Sequence, residues 1–214
     1  MKITKLGHCA MVLEHEGVKL LTDPGSFTTE QQQAVAGLHG ILITHEHQDH
    51  LHIDSLKKVL ANNPTAVIVG NSAVAKIVEE QIADTVVTVV GDGQSTDING
   101  VSIEGFGKEH ETIFREYGLV ENTGYFVAGK FFFPGDAFYK PNKPVDVLAL
   151  PVAGPWMKIS QALEYALSVK PRIAFGVHDG MITPDGASQK WCEMVLPKEG
   201  IEFITLKSGE TREF

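Results

Sequence analysis

The sequence predicts an α/β fold that forms one domain over residues 1–214. Short apolar runs, typical of buried strands, alternate along the chain with segments whose apolar residues recur at helical spacing. A length of 214 residues suits one domain with a substantial core. Hydrophobic residues make up 43% of the chain and charged residues 21%, as in ordinary globular proteins. The sequence shows no linker, low-complexity tract or clean repeat, so two successive strand-and-helix halves are expected to share this domain.

The first part of the chain predicts four strands. The second and third strands form a hairpin across Glu16-Gly17. The Gln- and Ala-rich stretch Glu30–Ala36 is interpreted as a short helix or mobile loop at the mouth of a cleft. A continuous apolar run then predicts a buried fourth strand. The four strands are Met1–Leu6, Met11–Glu14, Val18–Thr22 and Gly40–Thr44.

Helices and strands alternate in the next stretch. An amphipathic helix is predicted over Ile53–Leu60, and the Asn-Asn-Pro sequence after it ends the helix. A second helix is predicted over Ser72–Ile82, with Ser72 as its N-cap. The polar, turn-rich stretch Gly91–Gly100 is interpreted as a surface connection. Two strands complete this part, at Thr65–Val69 and Val86–Val90.

The second half of the chain repeats the alternation. The strands Thr123–Val127 and Phe131–Phe133 are predicted to pair as a hairpin. The connection Gly107–Asn122 is long and mixes charged with apolar residues, so we expect it to overhang a binding site. The remaining predicted elements are strands at Val101–Phe106, Val145–Leu150, Arg172–Val177 and Ile201–Thr205, and helices at Ile159–Val169 and Ala187–Leu196.

The candidate chemistry of the chain is concentrated in the hexapeptide His45-Glu46-His47-Gln48-Asp49-His50, directly after the fourth predicted strand. Buried imidazoles and carboxylates are costly unless they are paired or bind metal, and a solvated loop does not need them at this density. Both groups are ligands of zinc, manganese and iron(II). In an extended stretch, His45, His47 and Asp49 would point one way and His50 the other. This alternation favours two adjacent metal sites over a His-rich polar loop.

Three further candidate ligands lie just past the ends of other strand-like runs. His110 follows the run Val101–Phe106, Asp136 follows Gly135 after the Phe-rich strand, and His178 follows the run that ends at Val177. In α/β sandwiches, sites form from loops at the carboxyl ends of strands. This shared placement therefore predicts that the three side chains converge with the hexapeptide.

The remaining histidines are assigned differently. His8 follows a strand end, which leaves two interpretations: a substrate contact or proton donor in the cleft, or a solvated or capping residue. His15, His39 and His52 are expected to be surface residues without a role in the site.

The order of these residues resembles that of the metallo-β-lactamase superfamily: His-x-His-x-Asp-His after a strand, a lone His, Gly-Asp and a late His. Three further segments resemble the single-domain UlaG-like branch, which includes ascorbate-6-phosphate lactonase. These segments are Gly7-His8-Cys9, Leu21-Thr22-Asp23-Pro24 and Leu150-Pro151-Val152-Ala153-Gly154. The resemblance covers essentially the whole chain, and it implies a four-layer αβ/βα sandwich with a two-metal site in the cleft between its sheets.

The resemblance also implies how the ligands divide between two divalent metal ions. The implied sets are His45, His47 and His110 for one ion and Asp49, His50 and His178 for the other, with Asp136 bridging. Zinc is the favoured metal, with Mn²⁺ and Fe²⁺ as alternatives, because all seven ligands are His or Asp. Such a metal pair can hold a hydroxide that attacks the substrate. Asp49 is expected to orient that hydroxide and pass a proton, and His8 is the second catalytic candidate.

Charge and cysteine content limit the partners and the compartment. The net charge of −9 argues against nucleic-acid binding, so we expect a small-molecule substrate. No membrane partner is expected, because no apolar run reaches transmembrane length. Cys9 and Cys192 lie far apart in sequence, which favours reduced thiols, and Cys9 is interpreted as a small buried residue rather than a ligand. With no signal-peptide pattern at the start, a cytoplasmic location is expected. The oligomeric state is left open, and a homo-oligomer is compatible with the sequence.

The leading functional hypothesis is a metal-dependent hydrolase of a small ester, lactone or phosphoester. A nuclease or cyclic-nucleotide phosphodiesterase is the first alternative, opposed by the net charge of −9. A non-catalytic metal-binding protein is the second, opposed by the complete ligand set. Two side chains keep open roles: Asp23 either ends a turn or supports the metal loop, and Trp156 either lines a substrate pocket or packs on the following helix.

Overall fold

The computed structural model of the chain describes residues 1–117, 119–183 and 186–214. In this part of the chain, the strands form two seven-stranded sheets. In chain order the strands are β1 (Lys2–Gly7), β2 (Ala10–His15), β3 (Val18–Thr22), β4 (Gly40–Ile43), β5 (Val67–Gly70), β6 (Val87–Val89), β7 (Ser95–Ile98), β8 (Val101–Phe106), β9 (Gly124–Val127), β10 (Phe131–Phe133), β11 (Val147–Pro151), β12 (Ile173–Val177), β13 (Glu202–Ile204) and β14 (Thr211–Glu213).

Each sheet has an antiparallel half and a parallel half. The first sheet has the spatial order β14-β1-β2-β3-β4-β5-β6, antiparallel from β14 to β3 and parallel from β3 to β6. The second sheet has the order β13-β12-β11-β10-β9-β8-β7, parallel from β13 to β10 and antiparallel from β10 to β7. The two sheets therefore share one pattern, as expected from two successive strand-and-helix halves.

Helices cover the outer face of each sheet. They are α1 (Thr29–Gln33), α2 (Ile53–Asn62), α3 (Ser72–Gln81), α4 (Ile159–Val169) and α5 (Ala187–Val195). Val59 of α2 and Val78 of α3 pack with Ile68 of the first sheet. Ala166 of α4 packs with Leu148 of the second sheet. The helices α2, α3 and α4 thus bury an apolar face against the sheet that each follows in sequence, whereas the buried residue of α1 is Gln32.

A third apolar cluster lies between the two sheets. It joins Leu13 and Leu42 of the first sheet to Phe131 and Phe175 of the second. Burying a side chain of this size contributes about 1.5–3 kcal/mol, so the contact between the sheets is a main source of stability. The molecule has four layers, in the order helix, sheet, sheet, helix. The predicted α/β sandwich is confirmed.

Two strands differ from the sequence-based prediction. The stretch Gly91–Gly100 is more than a surface connection, because it contains β7. Asn99 and Gly100, with φ of 52° and 94°, join β7 to β8 in the two-residue turn that suits a tight hairpin. The last strand, β14, was not predicted, because its three residues are polar and exposed. Only backbone pairing with β1 identifies it as a strand.

The N-cap of α3 is Asn71 and not Ser72, as the sequence analysis proposed. The Asn71 Oδ1 atom accepts a hydrogen bond from the Val74 N–H at 3.0 Å. Its Nδ2 atom donates to the carbonyl oxygens of Thr44, at 3.0 Å, and Glu121, at 3.1 Å. One buried amide therefore caps a helix and also ties the end of β4 to the loop that precedes β9.

The loops that carry the candidate ligands leave strands of both sheets. The hexapeptide follows β4 of the first sheet, whereas His110, Asp136 and His178 follow β8, β10 and β12 of the second. The expected loop 107–122 includes residue 118, which lies outside the described part of the chain. Its two arms are joined where the His110 N–H donates to the Val120 carbonyl oxygen at 3.0 Å.

Within residues 1–117, 119–183 and 186–214, every helix is too short or too polar to span a bilayer.

Candidate metal centre

The hexapeptide is folded back into a turn rather than extended. The N–H groups of His50 and Leu51 both donate to the His47 carbonyl oxygen, at 2.9 and 2.8 Å. Gly25 lies against this turn so closely that a Cβ atom there would sit 1.7 Å from the Asp49 carbonyl oxygen. The expectation that the hexapeptide is extended, with alternating side chains, is therefore wrong. His50 does not face away, since its ring centroid lies 4.0 Å from that of His45.

One group of side chains consists of His45, His47 and His110. One nitrogen from each ring lies within 4.8 Å of the others. The ring centroids are 4.7 Å apart for His47 and His110 and 5.0 Å apart for His45 and His110. His45 and His110 are buried and His47 is half-buried. The structure thus brings together the three residues that the sequence assigned to one ion.

A second group lies beside the first and consists of Asp49, His50 and His178, with His8 close by. The Asp49 Oδ2 atom lies 3.4 Å from His178 Nε2 and 3.6 Å from His50 Nε2. It also lies 3.2 Å from His8 Nε2. These are the residues that the sequence assigned to the second ion, plus the strand-end histidine whose role was left open.

Asp136 lies between the two groups. Its Oδ2 atom is 3.3 Å from His110 Nε2 and 2.8 Å from His178 Nε2. Its Oδ1 atom is 3.3 Å from His50 Nε2. A single carboxylate therefore contacts imidazoles of both groups, which is the geometry that the predicted bridging role requires.

The residues present fit metal ions because, in the part of the chain that the structure describes, several buried nitrogen and oxygen atoms lack a hydrogen-bond partner. Those that face the candidate site are Nε2 of His45, His50 and His178 and Oδ1 of Asp136. Buried polar atoms are nearly always hydrogen-bonded in folded proteins, so such a concentration needs an explanation. Imidazole nitrogens and carboxylate oxygens are ligands for divalent transition metals, and a bound ion would satisfy these atoms.

Three of the histidines are held with Nε2 directed into the site. The Nδ1 atom of His45 lies 3.0 Å from Thr44 Oγ1, and that of His50 lies 2.6 Å from Asp23 Oδ2. The Nδ1 atom of His110 donates to the Glu111 carbonyl oxygen. The Asp23 and Glu111 oxygens are acceptors, and the Thr44 hydroxyl hydrogen already goes to Asp23 at 2.7 Å. In the neutral ring, the proton therefore sits on Nδ1 in each case and leaves Nε2 free to bind metal.

Asp23 supports the metal loop, which was one of the two roles left open. It is fully buried, and its Oδ1 atom accepts a hydrogen bond from the Thr44 N–H at 2.8 Å. Asp23 and His178 have positive φ values of 35° and 56°, and His8 has 49°. Non-glycine residues seldom adopt this conformation, and it recurs at functional sites where surrounding contacts enforce it.

Burial and charge shift the pKa values of the imidazoles in opposite directions. Burial lowers the pKa of His45 well below its ordinary value, and the same cause lowers the pKa of His8 to about 4. Burial alone would also lower the pKa of His178, but the Asp136 and Asp49 carboxylates together outweigh burial and raise that pKa to about 9. Asp136 and Asp23 likewise raise the pKa of His50 well above its usual range. Binding of metal to His50 and His178 would therefore release protons.

The carboxylates respond to the same neighbours. Burial opposes ionisation of Asp136, yet His50 and His178 hold its pKa well below the ordinary value. Burial likewise opposes ionisation of Asp49, whose pKa is lowered by the neighbouring imidazoles of His178 and His8. The pKa of Asp23 shifts in the other direction, because burial outweighs its hydrogen bonds and raises that pKa. The two carboxylates inside the site thus keep the negative charge that metal binding needs.

Trp156 has a role that the sequence analysis did not assign. Its side chain is buried, and the indole N–H donates to Asp136 Oδ2 at 2.9 Å. The ring lies between two ligands, with centroids 5.8 Å from His110 and 5.7 Å from His178. Asn122 fixes Asp136 from the other side, since its Oδ1 atom accepts the Asp136 N–H at 3.0 Å. No sequence pattern marks either contact, because both depend on packing between distant loops.

The other histidines and the cysteines lie outside the two groups or at their edge. His52 is the N-cap residue of α2, and its Nδ1 atom is 2.8 Å from Ser55 Oγ. His39 accepts a hydrogen bond from the Lys19 N–H at 3.1 Å, and His15 ends β2. Cys9 and Cys192 are buried free thiols. The Cys9 sulfur lies within 4.8 Å of ligand atoms of His50 and Asp136, so a thiol borders the site.

Comparison with known proteins gives three findings. A family model described as "Beta-lactamase superfamily domain" matches residues 2–178. The chain is 34% identical over 190 residues to Protein Rv0786c of Mycobacterium tuberculosis, covering 86% of this chain and 87% of that protein. It is 31% identical over 198 residues to a UPF0173 metal-dependent hydrolase of Carboxydothermus hydrogenoformans, covering 83% of this chain and 84% of that protein.

Among solved structures, the fold is similar to that of Igni18, a metallo hydrolase from the hyperthermophilic archaeon Ignicoccus hospitalis. The TM-score is 0.75 at 20% identity, with 100% of this chain and 98% of that chain covered. At this identity the similarity concerns the fold alone.

Proposed function

The chain belongs to the β-lactamase superfamily and is a metal-dependent hydrolase, and we propose that it uses two divalent metal ions to hydrolyse a small ester, lactone or phosphoester. The observation that carries the proposal is the pair of ligand groups joined by one carboxylate. Asp136 contacts His110 at 3.3 Å on one side and His178 at 2.8 Å on the other. A single tetrahedral ion uses four ligands, which is fewer than this cluster offers.

Each group would hold one ion. The ligands of the first would be His45, His47 and His110, those of the second Asp49, His50 and His178, and Asp136 would contact both. Zinc is the proposed metal, with Mn²⁺ and Fe²⁺ as alternatives, because the set contains imidazole and carboxylate. When bound, such ions polarise a substrate oxygen and lower the pKa of water from about 15.7 towards 7.

The protein's own residues would orient the reaction. Asp49 is the one proposed ligand whose carboxylate is partly exposed, at 24%, so it can contact both an ion and an incoming substrate. A carboxylate there can accept a proton from the attacking water and return it to the leaving group. Trp156 and Asn122 hold Asp136 in place through hydrogen bonds of 2.9 and 3.0 Å, which supports a fixed distance between the two ligand groups.

Two observations support a small substrate. A cavity of about 430 Å³ borders the site at His8 and Phe27, within the range of small-molecule pockets. The net charge of −9 disfavours a long polyanion, which usually needs a basic surface. The lactone subclass follows from the likeness of Gly7-His8-Cys9 and neighbouring segments to the UlaG-like branch, and it stays a prediction.

The test is a hydrolysis screen with metal-loaded protein against lactones, carboxylic esters, phosphomonoesters and phosphodiesters. The matched negative control is Asp136→Asn, which keeps the side-chain shape but removes the shared charge. We expect wild type to hydrolyse at least one small substrate of these four classes and Asp136→Asn to lose most of that rate. Activity confined to nucleic acids or cyclic nucleotides, or equal rates in the two proteins, would contradict the proposal.

A further inference from the structure

A buried lysine lies behind the metal centre. Lys5 is in β1, where Ile3, Lys5 and Gly7 are the inward-facing positions, and its side chain is only 1% exposed. This position would ordinarily hold an apolar residue. A buried ammonium group is strongly unfavourable unless it is paired and hydrogen-bonded, so its partners should show what it does.

The Lys5 ammonium joins three elements of the fold. Its Nζ atom donates to Asp179 Oδ2 at 2.6 Å and to the Gly176 carbonyl oxygen in β12 at 2.7 Å. The Nε2 atom of Gln189, in α5, donates to the same Asp179 oxygen at 3.1 Å. Asp179 directly follows His178, so these contacts fix the loop that carries one of the proposed ligands.

The loop fixed by Asp179 in turn holds His8. The Gly180 N–H donates to His8 Nδ1 at 3.1 Å, and the His178 N–H donates to the His8 carbonyl oxygen at 3.2 Å. Gly180 approaches the ring so closely that a Cβ atom there would lie 3.0 Å from His8 Nδ1. A backbone N–H can only donate, and Nδ1 of His8 must therefore be the acceptor.

This contact distinguishes His8 from the proposed ligands. In the neutral rings of His45, His50 and His110, the proton is on Nδ1 and Nε2 is free. In neutral His8 the proton is on Nε2, 3.2 Å from Asp49 Oδ2. A protonated nitrogen cannot bind metal, but it can donate to the Asp49 carboxylate and hold that side chain in one direction.

We propose that Lys5 is a positioning residue of the metal centre, which acts through the Asp179 carboxylate and the Gly180 N–H to set the His8 tautomer that orients Asp49. The consequence for catalysis rests on the proposed function, whereas the tautomer itself does not. The Lys5 ammonium donates to Asp179 and Gly176 rather than to a proposed ligand. Its effect reaches Asp49 through three hydrogen bonds, which join Lys5 to Asp179, Gly180 to His8 and His8 to Asp49.

The direct test is a long-range ¹H–¹⁵N spectrum of histidine-labelled, chelator-treated protein, with His8→Gln used to assign the His8 signals. We expect a protonated Nε2 and an unprotonated Nδ1 in wild type and in the control Lys2→Met. Lys2 is in the same strand, but its ion pair with Glu14 is exposed. In Lys5→Met we expect the other tautomer to become populated. A proton on Nδ1 in wild type, or an unchanged tautomer in Lys5→Met, would overturn the proposal.

A second variant covers the case in which Lys5→Met does not fold. Gln189→Met removes the other side-chain donor to Asp179 and leaves no buried charge unpaired. This variant should shift the His8 tautomer in the same direction as Lys5→Met and by less. An unchanged tautomer in Gln189→Met would mean that Asp179 does not connect Lys5 to His8. These spectra need neither metal nor substrate, so a failure of the proposed effect of Lys5 on His8 is distinguishable from a failure of the proposed function.

Turnover distinguishes a positioning role of Lys5 from a purely structural role, because a purely structural role would leave turnover per folded protein unchanged. Losing a group that supports a metal ligand typically lowers affinity or activity by about 10–100-fold. We expect kcat per bound metal to fall by that order in Lys5→Met, with KM close to wild type and no fall in Lys2→Met. A loss of thermal stability with kcat per folded, metal-loaded protein unchanged would show that Lys5 only stabilises the fold.

Discussion

Asp49 contacts more partners in the site than a simple ligand needs. Its Oδ2 atom lies within 3.6 Å of imidazole nitrogens from His8, His50 and His178. These contacts hold a negative charge at the exposed side of the cluster, since the pKa of Asp49 is lowered by its hydrogen bonds despite burial. Binding and chemistry should therefore separate when this charge is removed.

Asp49→Asn should lower turnover more than it lowers metal occupancy. The amide keeps one ligand oxygen, and loss of one supporting group typically costs about 10–100-fold in metal affinity. It also removes the proton acceptor, and general acid–base help is worth roughly 10²–10⁴-fold in rate. The measurement is the hydrolysis rate per bound metal with metal in excess. A rate equal to wild type would make Asp49 a replaceable ligand with no part in proton transfer.

His47 and His52 form a matched pair within the same segment. His47 belongs to the first ligand group, whereas His52 caps α2 and bonds to Ser55 at 2.8 Å. We expect His47→Ala to lose metal and activity together and His52→Ala to keep both near wild type. Metal content after gel filtration distinguishes them. Equal losses in the two variants would mean that the loop is arranged differently from this structure.

Trp156 should affect the metal centre through Asp136 alone. Trp156→Phe keeps an aromatic ring but removes the N–H that donates to Asp136 at 2.9 Å. We expect metal affinity or activity to fall by about 10–100-fold, measured by competition with a chromophoric chelator. The control is Trp191→Phe in α5, whose side chain is 48% exposed, and it should change neither quantity. Unchanged affinity in Trp156→Phe would leave the indole with a packing role only.

The sequence identifies the residues of the candidate site more completely than it identifies the contacts between them. Dense His and Asp after a strand already point to metal, and the structure brings all seven proposed ligands together. The hydrogen bonds that orient them could not be read in the same way. Trp156 and Lys5 are far from the hexapeptide in sequence, and only the packed loops bring them to Asp136 and Asp179.

The elements of the fold differ in how clearly the sequence marks them. Buried strands such as β4 and β11 are continuous apolar runs, and α4 shows clear helical spacing, so all three were predicted. The edge strands β7 and β14 are mostly polar, and within their own residues little besides pairing with a neighbour identifies them as strands. Asn99-Gly100 is a turn signal for the β7–β8 hairpin that the sequence analysis overlooked.

Substitutions at the start of α3 test whether Asn71 or Ser72 is its N-cap. Asn71→Ala should destabilise the protein by about 1 kcal/mol for the lost cap alone. The total should be larger, because the carbonyl oxygens of Thr44 and Glu121 each lose a hydrogen bond from Asn71, although the Thr123 N–H still donates to Thr44. Ser72→Ala should stay within about 0.5 kcal/mol, as surface substitutions usually do. Urea unfolding of chelator-treated protein compares the two, and the reverse order would restore Ser72 as the cap.

The whole molecule places the candidate site between its two sheets. The hexapeptide comes from the first sheet, and His110, Asp136 and His178 come from the second. The α/β sandwich and membership of the superfamily, both expected from the sequence, are confirmed. The substrate, the identity of the metal and the UlaG-like subclass stay predictions, because one fold supports many activities.

Metal content is the measurement that tests the central claim most directly. The protein is saturated with zinc, freed of excess metal by gel filtration and measured by elemental analysis against protein concentration. Two ligand groups joined by Asp136 predict close to two divalent ions per chain. One tightly bound ion per chain, with the second group left empty at saturation, would contradict the account.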